Sequence, residues 1–149
     1  MIRNFFLADD DPDDSDMFRE ALSGIKPEVE LNYTKNCKGM IDKLHAQEQL
    51  PDIIFLDINM PEINGWQCLA RLKADAALRE IPVLLYSTSP AELLGKRAIE
   101  SGAFAFYEKP SDFKKLCDFL KAVAHTSKDK LSLTLKELRA SHQHNVVTS

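Results

Sequence analysis

The sequence predicts a doubly wound α/β domain, and three observations carry that prediction. Short apolar runs recur along the 149 residues, each followed by a stretch with helical spacing, and that alternation builds a parallel sheet with right-handed crossovers. The run Ile53-Ile54-Phe55-Leu56 is apolar without interruption, as suits a central strand buried on both faces. Chemistry-bearing residues stand where the runs end: Asp9 and Asp10 after the first, Asp57 after the third, Ser87-Thr88-Ser89 after the fourth and Lys109-Pro110 after the last. In an open parallel sheet those ends lie side by side at the carboxyl edge, where such folds place their sites.

Each element has its own local signal. Phe5 to Ala8 reads as the first strand; Asp11 then caps a helix whose first position is Pro12, with Met17, Phe18, Ala21 and Leu22 on its apolar face and an end near Gly24. Val29, Leu31 and Tyr33 alternate as a strand does, and Met40, Ile41 and Leu44 follow at helical spacing. Pro51 opens the third strand. Met60-Pro61-Glu62-Ile63-Asn64-Gly65 has turn chemistry, and Trp66, Leu69 and Leu72 mark a third helix. Pro82 to Tyr86 is the fourth strand. A fourth helix runs from Ala91 to Ser101, weakened by Gly95 and stopped by Gly102. Phe104 to Tyr107 is the fifth strand, after which Ser111 caps a helix with Phe113, Leu116, Leu120 and Val123 on one face. From Thr126 the chain turns polar, and Leu131, Leu133, Leu135 and Leu138 fit neither period cleanly. A partly helical or disordered extension over 126–149 is the expectation, appended to a domain over 1–125.

Composition narrows the classes of function. One domain of this length buries roughly two thirds of its unfolded surface. Net charge is −4, and no basic stripe with interleaved aromatics is present, which argues against a nucleic-acid surface. No apolar stretch is long enough for a membrane span and no signal peptide is evident, so a cytoplasmic protein is expected. Cys37, Cys68 and Cys117 are odd in number, far apart in sequence and without metal-ligand spacing, which reads as three reduced, partly buried thiols.

Six aspartates fall between residues 9 and 16. Acids at a helix start meet the amide dipoles favourably, and for Asp13, Asp14 and Asp16 that role suffices. A calcium loop would use Asp9, Asp11, Asp13 and Glu20, but its glycine position holds Asp14 and Pro12 interrupts it. Asp9 and Asp10 differ in standing at a buried strand end, where adjacent carboxylates repel and require a cation. Magnesium takes one or two carboxylates, waters and a phosphate oxygen. Two acids, Asp57, Lys109 and a hydroxyl thus make a phosphoryl-accepting site in which positioning and charge neutralisation do the catalysis.

With those residues in place the chain resembles the response-regulator receiver domains of two-component signalling. Leu7-Ala8-Asp9-Asp10-Asp11-Pro12 is similar to the family's first-strand acid pair, Leu56-Asp57-Ile58-Asn59-Met60-Pro61 with Gly65 to its phosphoacceptor loop, and Lys109-Pro110 to its lysine followed by a cis-prolyl bond. The match covers roughly residues 1 to 125. The resemblance implies a flavodoxin-like five-stranded sheet of order 2-1-3-4-5 with five helices. It implies Asp57 as the phosphorylated residue and Mg2+ as cofactor, held by Asp9, Asp10, Asp57 and the backbone carbonyl of Asn59. Ser87 falls at the switch hydroxyl, with Thr88 in the small-residue place after it, and Phe106, rather than Tyr107, at the rotating aromatic.

The same resemblance implies a stand-alone response regulator that accepts a phosphoryl group from a histidine kinase or phosphotransfer protein and switches its protein-binding surface. Such a protein is no enzyme beyond its own phosphoryl transfer and autodephosphorylation. The expected partners are that kinase and a downstream protein, with a homodimer as an option and neither nucleic acid nor membrane. A non-phosphorylated interaction module would not need intact Asp9, Asp10, Asp57, Ser87 and Lys109. A mononucleotide binder would want small and hydroxyl residues after the first strand, where this chain is Asp-rich. A phosphohydrolase would want an acid at position 59, where Asn59 stands.

Overall fold

The computed structural model describes residues 1–141 and 143–149. Its sheet begins with β1 (Asn4–Ala8), β2 (Glu30–Thr34), β3 (Ile53–Asp57), β4 (Val83–Ser87) and β5 (Ala105–Glu108), and the helices between them are α1 (Pro12–Ser23), α2 (Cys37–Ala46), α3 (Gly65–Ala74) and α4 (Ala91–Glu100). After β5 come α5 (Phe113–Ala124), a 3-10 turn at Lys128–Lys130, α6 (Leu131–Ser141) and β6 (Val146–Thr148). The strand order is β2-β1-β3-β4-β5-β6. The first five are parallel, as expected, and β6 adds an antiparallel edge.

The two faces of the sheet carry two cores. On one, Phe5, Leu7, Phe55, Tyr86 and Tyr107 pack against α1 and α5. On the other, Phe6, Ala8, Ile54, Leu56, Leu85 and Phe106 pack against α2, α3 and α4. The alternation of strand side chains makes this division, since neighbouring residues of one strand face opposite ways. Every residue of β3 and β4 is buried, which is why those runs are continuously apolar until their polar ends.

Helix starts follow their caps. Asp11 accepts from the amides of Asp13 and Asp14 with Pro12 next in line, and Asn64 with Gln67 forms a reciprocal capping box on α3. The cap of α5 is Asp112, one residue after the expected Ser111, and Phe113 is exposed rather than on the buried face. The single cis peptide among the described residues is Lys26–Pro27, so the cis bond expected at Lys109–Pro110 is not there.

The chain after Thr126 rejoins the domain. Leu131 and Leu135 are fully buried in the core shared by α1 and α5, Leu138 packs against it, and Leu133 is 58% exposed. Residues four apart share a helix face, and Leu133 points the other way. Beyond α6, β6 pairs Phe106 with Val147 and Tyr107 with Val146. Gly95 makes room for it: a Cβ there would lie 2.7 Å from Val147 Cγ2.

The cysteines also depart from expectation. Cys37 and Cys68 are joined in a disulfide across 31 residues, with Cα atoms 5.8 Å apart, while Cys117 is free. Parallel crossovers set α2 and α3 side by side on one face of the sheet, so distance along the chain does not measure separation in space.

Candidate functional site

At the carboxyl edge the strand ends converge as the sheet order requires. Alignment of Ala8 with Leu56, and of Asp57 with Tyr86, places the β1 acids beside Asp57 and Asp57 beside the end of β4. Carboxylate oxygens of Asp9, Asp10 and Asp57 lie within 4.8 Å of one another; Asp9 and Asp57 are buried and Asp10 is exposed at the mouth. Lys109 reaches across the cluster. Its Nζ is 3.0 Å from Asp9 Oδ2, 2.8 Å from Asp14 Oδ2 and 3.6 Å from Asp57 Oδ1, and it stands 5.0 Å from the centre of the Tyr86 ring.

The electrostatics follow from burial. Desolvation, with the charge of Asp9 added, pushes the Asp57 carboxyl up to about 7, against the opposing pull of Lys109. Burial alone would lower the Lys109 ammonium, but its hydrogen bond to Asp14 and the charges of Asp9 and Asp57 outweigh that and leave it raised. One lysine therefore serves three carboxylates and does not satisfy them all. An acid cluster with a negative excess and one open side suits a hard divalent cation.

Local structure fixes each member. Asp9 Oδ1 accepts from the Asp11 amide at 3.0 Å, and the Asn59 amide donates to Asp57 Oδ1 at 3.4 Å. Gly65 lets α3 start directly under the acid, because a Cβ there would run into the Asp57 carbonyl oxygen. Ser87 is buried at the last position of β4, its Oγ accepting from the Ser89 amide at 3.1 Å, while Thr88 is exposed. The Ser87 carbonyl accepts from the Lys109 amide at 2.7 Å, which ties the lysine segment to β4. Phe106 stands apart from this cluster. It is buried on the sheet face shared with α4, whereas Tyr107 stacks on Phe119 at 3.7 Å on the other face.

Three contributors were not foreseen from sequence. Asp14 is a direct partner of Lys109, although its place in the first turn of α1 had suggested dipole duty alone. Glu108 accepts the Ala91 amide at 2.8 Å and so caps α4. Asn145 in turn brackets Glu108, donating to its carbonyl at 2.6 Å and accepting its amide at 2.9 Å. The extension thereby grips the residue next to Lys109.

With fold and pocket described, comparison with known proteins agrees on the class. The model of the response regulator receiver domain matches residues 5–121, and the chain belongs to that family, the receivers of two-component signalling. It is 33% identical over 109 residues to the two-component response regulator ORR5 of Oryza sativa subsp. japonica, covering 70% of this chain and 81% of the rice protein. It is 32% identical over 102 residues to protein-glutamate methylesterase/protein-glutamine glutaminase 2 of Anaeromyxobacter dehalogenans; that match covers 66% of this chain but only 29% of the methylesterase. Among solved structures, the phosphorylated cyanobacterial phytochrome response regulator RcpA superposes with a TM-score of 0.69 at 25% identity, over 83% of this chain and 91% of RcpA.

Proposed function

We propose that the chain is a stand-alone response regulator, phosphorylated on Asp57. The observation that carries this reading is the convergence of Asp9, Asp10, Asp57 and Lys109 at one sheet edge, with Lys109 Nζ 3.6 Å from the Asp57 carboxylate. A carboxylate oxygen of Asp57 attacks the phosphorus of a phosphohistidine on a sensor kinase or phosphotransfer protein. The new O–P bond forms as the N–P bond breaks. Lys109 offsets charge on the transferred group, and the Ser87 hydroxyl, whose oxygen already accepts from Ser89, has its proton free to donate to a phosphoryl oxygen. Asp9, Asp10, Asp57 and the Asn59 carbonyl would hold Mg2+, which supplies charge neutralisation. The protein acts on no substrate beyond its own transfer and dephosphorylation.

In this reading residues 1–125 are the receiver and 126–149 an extension built onto it, and the site of action is the cytoplasm. No described helix is long and apolar enough to cross a membrane. Ser87 and Phe106 carry the switch, and output runs through protein contact near α4, β5 and α5. Because β6 covers the open edge of β5, a partner meets the outer side of α4, where Leu93 is 74% exposed, together with the extension itself. A labelled phosphohistidine donor tests the transfer: label should move to this chain with magnesium and stay on the donor with a chelator. Transfer indifferent to chelation would remove the metal from the mechanism, and no transfer from any donor would leave an interaction module.

A further inference from the structure

We infer that Cys37 and Cys68 form a reversible disulfide through which thiol oxidation tunes the acid pocket; the coupling half of this inference rests on the metal-binding reading of that pocket. The bond closes a circuit of hydrogen bonds, all backbone to backbone except one from the Thr34 hydroxyl, around one side of the pocket. From Asp9 the path runs through its amide to the Thr34 carbonyl at 3.1 Å, then through Thr34 Oγ1 to the Asn36 carbonyl at 3.2 Å, next to Cys37. From Asp57 it runs through the next residue, Ile58, whose carbonyl accepts the Gly65 amide at 2.7 Å, and then through the Asn64 carbonyl, which accepts the Cys68 amide at 2.9 Å. The two acids are thus each tied to one sulfur. Joining the sulfurs fixes the spacing of the two helix starts to which the acid-bearing strand ends are hydrogen-bonded. At the other end of the same helices His45 Nε2 lies 2.8 Å from Asp75 Oδ2, so α2 and α3 are held at both ends when the disulfide is made.

The geometry permits the chemistry. A Cα separation of 5.8 Å is within the range of unforced disulfides. Both sulfurs belong to buried residues, but a cavity of about 240 Å³ lined by Asn36, Cys37, Lys38, Pro61, Glu62 and Ile63 opens onto Cys37. Cys37 also opens α2, whose first amides favour a thiolate. The Cys37 thiolate attacks one sulfur of a small disulfide such as glutathione disulfide, giving a mixed disulfide and one released thiol. Cys68 then displaces the second thiol. Two protons and two electrons leave the protein, and the oxidant is reduced to two thiols.

In a reducing compartment such a bond is made conditionally rather than permanently. Oxidation preorganises the acid pair, so the oxidised protein should bind Mg2+ several-fold more tightly than the reduced one. It should also melt on the order of 10 °C higher, because the link shortens the free loop of the unfolded chain.

The experiment equilibrates the full-length protein in graded mixtures of glutathione and glutathione disulfide. Alkylation under denaturing conditions then counts free thiols by intact mass, and calorimetry gives magnesium affinity at each end point. The expected course is a fall from three alkylated cysteines to one, with a parallel gain in affinity that Cys37→Ser abolishes. Cys117→Ser should follow the parent, less one thiol. Three free thiols at every ratio would overturn the disulfide. Equal magnesium affinity in the two forms would overturn the coupling and leave a plain structural bond. If neither form bound magnesium, the metal reading would fall and the coupling with it, while the thiol count would still judge the bond.

Discussion

Burial and the charge of Asp9 both oppose ionisation of Asp57 and push its carboxyl up to about 7. The sign of the consequence follows from linkage. Its folded-state value, about 7, lies above the ordinary 3.8, so the folded state binds the proton more tightly. Its contribution is present at low pH and is lost as pH rises from 3.8 through 7. In chelator, Asp57→Asn should therefore be more stable than the parent at pH 8 by about 1–2 kcal/mol after allowance for solvent screening. The difference should vanish toward pH 4 in urea titrations. A variant less stable than the parent at pH 8 would contradict this electrostatic account. Among hydroxyls, Ser87→Ala should still take a phosphoryl group but lose a several-fold share of its phosphorylation-dependent capture of a downstream partner in a pull-down, whereas Thr88→Ala, at an exposed position, should act like the parent. The reverse pattern would move the switch by one residue. The convergence of Asp9, Asp10, Asp57 and Lys109 was legible in the sequence because each stands at or just past the end of an apolar run. Asp14 was not, since an acid in a helix's first turn already has a sufficient reason to be there.

At the scale of elements the extension departs furthest from expectation. Leu131, Leu133, Leu135 and Leu138 together fitted neither period cleanly and left the extension partly helical or disordered, and β6 has three residues, a length at which no pattern identifies a strand. Gly95 was the available signal. Along α4 alone it weakens a helix; in the fold it is the notch that receives Val147. Gly95→Val should accordingly push β6 from the β5 edge. The amides of Val146 to Thr148 should then exchange at least tenfold faster with deuterium, and unchanged exchange would mean that β6 does not depend on the notch. Leu131→Ala and Leu135→Ala should each cost about 2–5 kcal/mol in chemical denaturation, against less than about 0.5 kcal/mol for Leu133→Ala. Equal effects at all three would mean α6 is not packed as described. The disulfide escaped the sequence for a topological reason: nothing in a spacing of 31 residues tells that α2 and α3 are neighbours.

Across the whole molecule, the pocket is a product of strand order. Parallel strands in the order β2-β1-β3-β4-β5 bring residues from positions 9, 57, 87 and 109 to one edge; the alternation of apolar runs with helical spacing foresaw the shared edge, and the family resemblance supplied the order. A helical stretch in the extension was foreseen and the sixth strand was not, and the turn between α6 and β6 bears on the same edge through Asn145 and Glu108. In the proposed reading a bound cation offsets the excess of carboxylates over the Lys109 ammonium. Asp10→Ala should weaken magnesium binding about tenfold by calorimetry, and an unchanged affinity would return Asp10 to helix-capping duty. The central claim, that Asp57 is the phosphoacceptor, is tested most directly by intact mass after incubation with phosphoramidate and magnesium. The account predicts one phosphoryl adduct on the parent and none on Asp57→Asn; an adduct of the same yield on both would contradict it.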